Sequence, residues 1–388
     1  MYKIIIAAFY ISILASCDAQ QKGQNNTATA KGNTSNMKEG KDYIILKRFR
    51  TIDKQGFNQP VEAASFLLPA NWQVNGMMQW NGANKCIPEI VQASVKATSP
   101  DGTYELQMLP TTQFDWSDDP VYLDAMQRGF NMQSCHIAQP LDAAGYIIQS
   151  LAPYMKAQVT SAKIITALQQ QMDAGAIQMN EAARRAGNNA YHHKGSAAEG
   201  ILQLADGKEG LALCTVMQTI LTMPGTQGNM ANNYQCYVNM RTVLKYNKGN
   251  EAMARKILST FFSSTRINPF WGSEVQNTLA AIGRNGAVQI GRTIQIAQAA
   301  QQEMGNNIVR NWEVKNNTTM QPNTTDGFGQ YLRGVDSWKD TDGNKVELTS
   351  GYSSAWSKSD GSYLLSNNPA YDPNVELGGT QSWNRMNQ

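Results

Sequence analysis

The chain is short of charged residues and has very few histidines. Lys, Arg, Asp and Glu together make up 16% of its 388 residues, and there are 3 histidines. Of the 33 basic residues only Lys3 precedes Cys17, so 32 basic residues accompany 30 acidic ones after the first 16 residues. A balance this close to neutrality argues against a dedicated nucleic-acid surface, which needs a clustered basic face.

Common catalytic and metal-binding motifs are also missing. The sequence contains no G-x-S-x-G elbow, no H-E-x-x-H pair and no nucleotide-binding loop, and its Gly-rich segment 283–291 lacks the G-x-G-x-x-G spacing. There is no C-x-x-C pair either, and the histidines are scattered or adjacent, so a zinc site is a poor interpretation. We therefore predict no metal and no cofactor.

Long hydrophobic runs are scarce, and the one near the N-terminus is too short to cross a bilayer. It extends from Ile4 to Leu14 after Lys3, whereas a membrane-spanning helix needs about 20 residues. Its length fits the apolar core of a secretory signal. The following Leu14-Ala15-Ser16-Cys17 resembles the lipoprotein box of bacteria, which implies cleavage after residue 16 and lipidation of Cys17. An ordinary cleaved signal followed by an incidental cysteine is the alternative.

Residues 17–42 are predicted to be a flexible tether. They carry almost no large apolar side chain, and such a segment cannot bury enough surface to offset the entropy of ordering it. Together with lipidation, the tether predicts a protein anchored to a membrane of the bacterial cell envelope. The sequence leaves open whether it faces the periplasm or the cell surface.

Four cysteines follow Cys17, namely Cys86, Cys135, Cys214 and Cys236. An even number in an exported protein predicts two disulfides, and four cysteines allow three connectivities. We favour Cys86–Cys135 and Cys214–Cys236, because each pair falls within one part of the predicted domain.

Apolar alternation around Asp-Gly pairs predicts antiparallel strand pairing. Residues 93–110 contain two alternating runs on either side of Pro100-Asp101-Gly102, which is a strong hairpin signal. Asp-Gly pairs also lie between strand-like segments at 206–207, 342–343 and 360–361.

Helical patterns separate the strands. They cover 141–151 and 156–187, and a short amphipathic pattern covers 250–264. The mixture predicts an α+β domain over residues 43–270, in which an antiparallel sheet is backed by helices and carries a helical insert.

Residues 271–316 are predicted to form a long amphipathic helix. Apolar side chains recur there at helical spacing from Val275 to Trp312. Glycines at 283, 286 and 291 leave the continuity of this helix open, because each weakens a helix by about 1 kcal/mol relative to Ala. The stripe either packs along its own domain or binds a partner.

Residues 317–388 are predicted to form an aromatic, β-rich C-terminal module. Exposed aromatic side chains beside amides suit the stacking of sugar rings, and the candidates are Trp338, Tyr352, Trp356 and Tyr363. Alternatively these side chains fill the core of a small module. The loop 340–347 carries Asp340, Asp342, Asn344 and Glu347, but it lacks the Gly and the final Glu of a calcium loop, and a tight turn explains it.

The segment 66–72 (FLLPANW), followed by the hairpin of 97–110, is similar to the opening of PsbP/Mog1-like proteins. That resemblance covers residues 43–270 at most. It implies an antiparallel sheet backed by helices, closed by a helix such as 250–264, and binding or assembly work without shared catalytic residues.

The remaining reactive cluster is His192, His193 and Glu199, beside Lys194-Gly195-Ser196. A hydrolase would need a nucleophile, a base and an orienting acid that meet in space, and we predict a surface loop over 187–198 instead. The sequence thus predicts a lipid-anchored binding or scaffold protein for an envelope protein or glycan. A hydrolase acting on an envelope polymer is the alternative.

Overall fold

A computed structural model of the chain describes residues 37, 39–40, 42–82, 86–130, 135–285, 334–341, 343–368, 371–377 and 382–388. The predicted signal peptide, Cys17 and nearly all of the tether lie outside the described residues. The same holds for 286–316 of the predicted long helix and for 317–333.

Strands account for most of the regular structure in this part of the chain. They are β1 Tyr43–Asp53, β2 Val61–Pro69, β3 Gln73–Trp80, β4 Val91–Thr98, β5 Tyr104–Met108, β6 Thr112–Ser117, β7 His136–Ile137, β8 Ala157–Ile164, β9 Tyr191–Leu204, β10 Glu209–Pro224, β11 Met230–Tyr246, β12 Arg266–Ile267, β13 Val335–Lys339, β14 Lys345–Thr349, β15 Ser354–Ser357, β16 Tyr363–Ser366 and β17 Asn384–Arg385.

Helices connect and cover the strands. They are α1 Pro120–Ala125, which continues as a π-turn Met126–Phe130, then α2 Ala143–Tyr146, a π-turn Ile147–Leu151 and α3 Ala152–Tyr154, followed by α4 Thr166–Arg185, α5 Glu251–Ser264, α6 Pro269–Asn285 and α7 Pro373–Glu376. None of these helices combines the length and the hydropathy needed to span a bilayer.

The larger sheet has nine strands and confirms the predicted α+β class with antiparallel pairing. Its order is β3-β4-β5-β11-β10-β9-β8, and β6 pairs with β11 while β7 runs parallel to β6. The turn at Asp101-Gly102 joins β4 to β5, and that at Asp206-Gly207 joins β9 to β10. Both glycines have positive φ, at 69° and 81°, which only glycine adopts without strain. These two predicted hairpins are therefore confirmed.

The second sheet joins the two ends of the described chain. Its order is β12-β2-β1-β16-β15-β17, and Tyr43 of β1 lies opposite Ser366 of β16. The hairpins predicted at 342–343 and 360–361 are present as β13–β14 and β15–β16. The tail is β-rich as predicted, and β15–β17 complete the sheet begun by β1 and β2.

Helix α5, predicted over 250–264, lies in the core between the two sheets. Its apolar side chains, including Ile257 and Phe261, share one buried cluster with Phe66 of β2 and Leu244 of β11. The rings of Phe66 and Phe261 lie 4.9 Å apart, edge to face. One amphipathic helix thus holds both sheets together.

Two sequence predictions about secondary structure were wrong. Residues 157–164, predicted to be helical, form strand β8, because they pair along β9, and pairing with a neighbour overrides a local helical preference. The predicted loop 187–198 is largely strand, since β9 begins at Tyr191.

Helix α6 occupies the start of the region predicted to be one long helix. It begins at Pro269, before the predicted boundary, and its buried side chains include Val275 and Ile282. Within the described residues this part of the stripe packs on its own domain, where Ile282 contacts Ile90.

Candidate functional site

A disulfide joins Cys86 to Cys135 across 49 residues of sequence, with Cα atoms 4.6 Å apart. It ties the segment before β4 to the segment before β7, and both cysteines are buried. This pair is the one predicted from the sequence.

The other predicted disulfide is absent, because Cys214 and Cys236 are free, buried thiols. Cys236 of β11 lies opposite Gln218, which is four residues from Cys214 along β10. Four residues of strand extend about 13 Å, whereas bridged cysteines have Cα atoms about 4.4–6.8 Å apart. Burial raises the pKa of Cys214 to about 12 and that of Cys236 to about 11. Both thiols therefore stay protonated and inert.

The cluster His192, His193 and Glu199 does not assemble into a reactive site. All three lie on β9, where His192 and His193 point to opposite faces. His193 and Glu199 are six residues apart, about 20 Å along a strand. Glu199 is engaged elsewhere, since its carboxylate lies 2.9 Å from Arg255 Nη1 and 3.1 Å from Lys163 Nζ.

Helix α4 covers the outer edge of β9 beyond the end of β8. The Gln169 side chain donates from Nε2 to the Gly195 carbonyl and accepts at Oε1 from the Ala197 N–H. Asn180 makes the same pair of hydrogen bonds with His193: its Nδ2 donates to the His193 carbonyl at 3.1 Å, and its Oδ1 accepts from the His193 N–H at 2.6 Å. Two amide side chains thus replace a neighbouring strand, which protects an otherwise open sheet edge.

Three of the four aromatic residues proposed to stack on sugars are buried. Trp338, Tyr352 and Trp356 are 3%, 8% and 4% exposed. Trp338 and Tyr352 pack with Ile44 and Leu46 of β1, and Tyr363 is partly buried against the same cluster. Because the tail strands attach to β1, Trp338, Tyr352 and Trp356 serve as core, which is the alternative that the sequence offered.

The loop 340–347 is explained by a turn. Asp340 accepts hydrogen bonds from the N–H and from Nδ2 of Asn344, at 2.8 and 3.0 Å. Among the residues that the structure describes, no three His, Cys, Asp or Glu side chains gather in a way that could hold a metal ion.

A row of polar side chains crosses one face of the nine-stranded sheet. His193 of β9 lies opposite Thr219 of β10. The row continues from Thr219 to Gln235 of β11, and from Gln235 to Asp115 of β6. Residues directly opposite one another point to the same face, and neighbouring strands are about 4.8 Å apart. The row is therefore about 14 Å long from His193 to Asp115.

The adjacent row adds two more polar residues on the same face, Tyr237 of β11 and, opposite it, Gln113 of β6. We call the six residues of the two rows the polar strip: His193, Thr219, Gln235, Asp115, Tyr237 and Gln113. Gln235 is exposed, Thr219, His193 and Tyr237 are partly exposed, and Asp115 and Gln113 are 6% exposed. Tyr237 packs against the buried cluster of Met172, Ala176 and Met217 under α4, so the accessible part of the strip is its centre at Gln235 and Thr219, with a recessed carboxylate at one end.

Asp115 carries the one carboxylate of the strip. Its Oδ1 accepts a hydrogen bond from Gln113 Nε2 at 2.7 Å, and that same nitrogen lies 3.4 Å from the disulfide sulfur of Cys135. Burial raises the pKa of Asp115 to about 6, against the opposing effect of the Gln113 hydrogen bond. Asp115 is therefore ionised at neutral pH but protonates readily in mild acid.

The other end of the strip is occupied by a neutral imidazole. His193 Nδ1 lies 3.1 Å from Thr219 Oγ1, and burial together with the neighbouring His192 lowers the pKa of His193. The hydroxyl of Tyr237 is held by the side chains of Thr111 and Asn239. The strip is therefore a preorganised set of hydrogen-bonding groups.

Sequence reasoning singled out only His193 of this strip. The signal that it missed is the period-2 alternation within β6 and β11, which puts polar residues on one face of each strand. In β6 these are Gln113, Asp115 and Ser117, and in β11 Asn233, Gln235 and Tyr237. Which strands lie side by side, and in what register, follows only from the tertiary structure.

Comparison with known proteins yields no relative, since no family model, no curated protein and no solved structure matches this chain.

Proposed function

We propose that this chain is a lipid-anchored protein of the bacterial cell envelope that binds a glycan through the polar strip. The observation that carries the proposal is the row His193, Thr219, Gln235 and Asp115 across four adjacent strands. The signal-like N-terminus, the Leu14–Cys17 segment and the Cys86–Cys135 disulfide support an exported location.

The chemistry of the strip favours a sugar over a protein partner. Amide, hydroxyl and carboxylate groups supply both donors and acceptors at short intervals, which matches the many hydroxyls of a saccharide. The central part of a protein–protein interface is instead apolar and depleted of charge. At the exposed centre of the strip stand the polar side chains of Gln235 and Thr219.

Binding is tested with the full chain, purified in detergent, and oligosaccharides of envelope polymers. Because one hydrogen bond contributes about 1 kcal/mol, Gln235→Ala is expected to weaken binding about fivefold, and Thr219→Val by a similar factor. Gln158→Ala, which removes an exposed amide from β8 at the sheet edge, serves as the matched control. Unchanged affinity in both strip variants would contradict the proposal.

Lipid anchoring is tested separately, by fractionation of cells. Cys17→Ala is expected to release the protein from the membrane fraction and to abolish its metabolic labelling with a fatty acid. Cys214→Ala, a variant of a buried thiol, should leave labelling intact. Labelling that survives Cys17→Ala would refute this part of the proposal.

A hydrolase that acts on the same polymer is the second candidate. Two buried carboxylates approach Gln113: Asp115 through the side-chain amide, and Glu89 through the backbone N–H at 3.4 Å. Burial raises the pKa of Asp115 to about 6, as suits the general acid of the carboxyl pair that glycoside hydrolysis uses. Cleavage of the polymer by the parent chain that is lost in both Asp115→Asn and Glu89→Gln would support hydrolysis. Binding of the polymer without cleavage would exclude hydrolysis of that polymer.

We also propose a PsbP/Mog1-like relationship for residues 43–270. Residues 66–72 form the end of β2 and the turn into β3, and Trp72 is buried in the core beside the rings of β2 and α5. Helix α5, which packs on β2 and β11, supports the proposal as a candidate for the closing helix. An experimental structure with a different strand order from that family would refute the relationship.

A further inference from the structure

The charge of the polar strip is one-sided. Asp115 is the only member that is ionised at neutral pH, because His193 is held neutral by its burial. The next row on the same face, on the other side of the His193 row from Tyr237, is formed by Tyr191, Leu221, Asn233 and Ser117. This far row adds no charge.

Glu89 strengthens the negative potential at the Asp115 end. Its Oε1 accepts from Thr112 Oγ1 at 2.6 Å and lies 3.4 Å from the Gln113 N–H. His136 Nε2, at 3.6 Å from the same oxygen, is the basic group that faces Glu89. Both carboxylates are recessed, since Glu89 is 8% and Asp115 is 6% exposed, and recessed charges are screened less by salt than exposed ones.

Basic side chains of β9 lie away from the strip. Lys194 stands between His193 and Gly195, and so it points to the opposite face of the strand. None of the twelve positions formed by the strip, its far row and the paired Gly195 and Met217 is Lys or Arg. Along these strands a carboxylate or sulfate group on a bound chain therefore meets the charge of Asp115 without a Lys or Arg beside it, and the basic group at that end, His136, already faces Glu89.

We infer that the polar strip selects oligosaccharides that carry amines or only neutral groups and rejects those that carry uronic acids. The inference rests on the proposed function and names the substrate class of the same site. A cationic sugar amine at the Asp115 end gains an ion pair with a recessed carboxylate. An acidic sugar there is placed beside the same charge.

The test uses one hexasaccharide backbone in three forms that differ in charge. Chitohexaose is neutral, its deacetylated form carries amines, and its C6-oxidised form carries carboxylates. Affinities for the full chain in detergent are measured by calorimetry at neutral pH. The oxidised form is expected to bind at least about tenfold more weakly than the neutral form, as a like charge nearby costs more than 1.4 kcal/mol.

Two variants assign the discrimination to the strip. Asp115→Asn removes the charge while keeping the shape and is expected to weaken binding of the amine form and strengthen binding of the oxidised form. Asp206→Asn is the matched control, because Asp206 lies in the exposed β9–β10 turn. The control should leave the order of the three affinities unchanged.

The outcomes separate this inference from the function it rests on. Binding of all three forms with equal affinity, weakened in Gln235→Ala, overturns the charge selection but keeps the strip as a glycan site. Binding that Gln235→Ala and Thr219→Val leave unchanged, or no binding of any form, overturns both. Discrimination that persists in Asp115→Asn overturns the role given to Asp115.

Discussion

Removal of the Cys86–Cys135 disulfide should cost this protein a large part of its stability. The bond closes a loop between residues that are 49 apart in sequence. Loop closure of that length lowers the entropy of the unfolded chain by an amount equivalent to about 4 kcal/mol at 25 °C. The double variant Cys86→Ala/Cys135→Ala is expected to lose free energy of unfolding on that scale.

Urea unfolding of the full chain carrying Cys17→Ala measures this loss. Cys17→Ala removes a thiol outside the described residues, so that four cysteines remain. Addition of a reductant should destabilise the parent by the same amount as the double substitution. The double variant itself should be indifferent to the reductant, because Cys214 and Cys236 are already thiols.

Thiol titration of the unfolded, unreduced parent provides the decisive count. Two reactive thiols are expected, those of Cys214 and Cys236. A count of zero, or a double variant that is still destabilised by the reductant, would show that the second pair also forms a disulfide. Either result would refute the register that places Cys236 opposite Gln218.

Three further predictions concern the face and the edge of the larger sheet. Gly195→Ala should destabilise the fold by about 1–3 kcal/mol in urea unfolding, because a Cβ there would lie 2.7 Å from the backbone oxygen of Met172 in α4. Gly82→Ala, where a Cβ would meet open space, should be nearly neutral. Gln169→Ala should cost about 1–3 kcal/mol, since it strips hydrogen bonds from the β9 edge, and the exposed Gln170→Ala should cost little. The pKa of Asp115 is raised to about 6 in the folded protein, so Asp115 binds its proton more tightly in the folded than in the unfolded chain. Its contribution to stability is therefore full below pH 4 and is lost as the pH rises through 6. Asp115→Asn should remove that dependence from a pH series of unfolding measurements, and an identical pH dependence in both proteins would contradict the assignment.

Local features that depend on short-range chemistry were predictable. The Asp-Gly turns at 101–102 and 206–207 were located because a tight hairpin needs positive φ at the glycine, and this need is visible in two residues. Helix α5 was located to within one residue, because its apolar face follows the helical period and its ends coincide with polar segments.

Features that depend on which strands meet were not predictable. Residues 157–164 look helical in isolation, yet β9 offers them a partner. Trp356 looks available to a ligand until β16 pairs with β1 and buries it. The sequence of 214–236 does not indicate that Cys236 lies opposite a residue of β10 that is four positions away from Cys214.

The polar strip shows the same division. Each of its strands already carries alternating polar residues, because a period of two puts them on one face. That His193, Thr219, Gln235 and Asp115 form one row follows from the registers of three strand pairs. A shift of one residue in any of them would turn a side chain to the opposite face, so the local pattern set the chemistry available and the tertiary pairing decided which groups stand together.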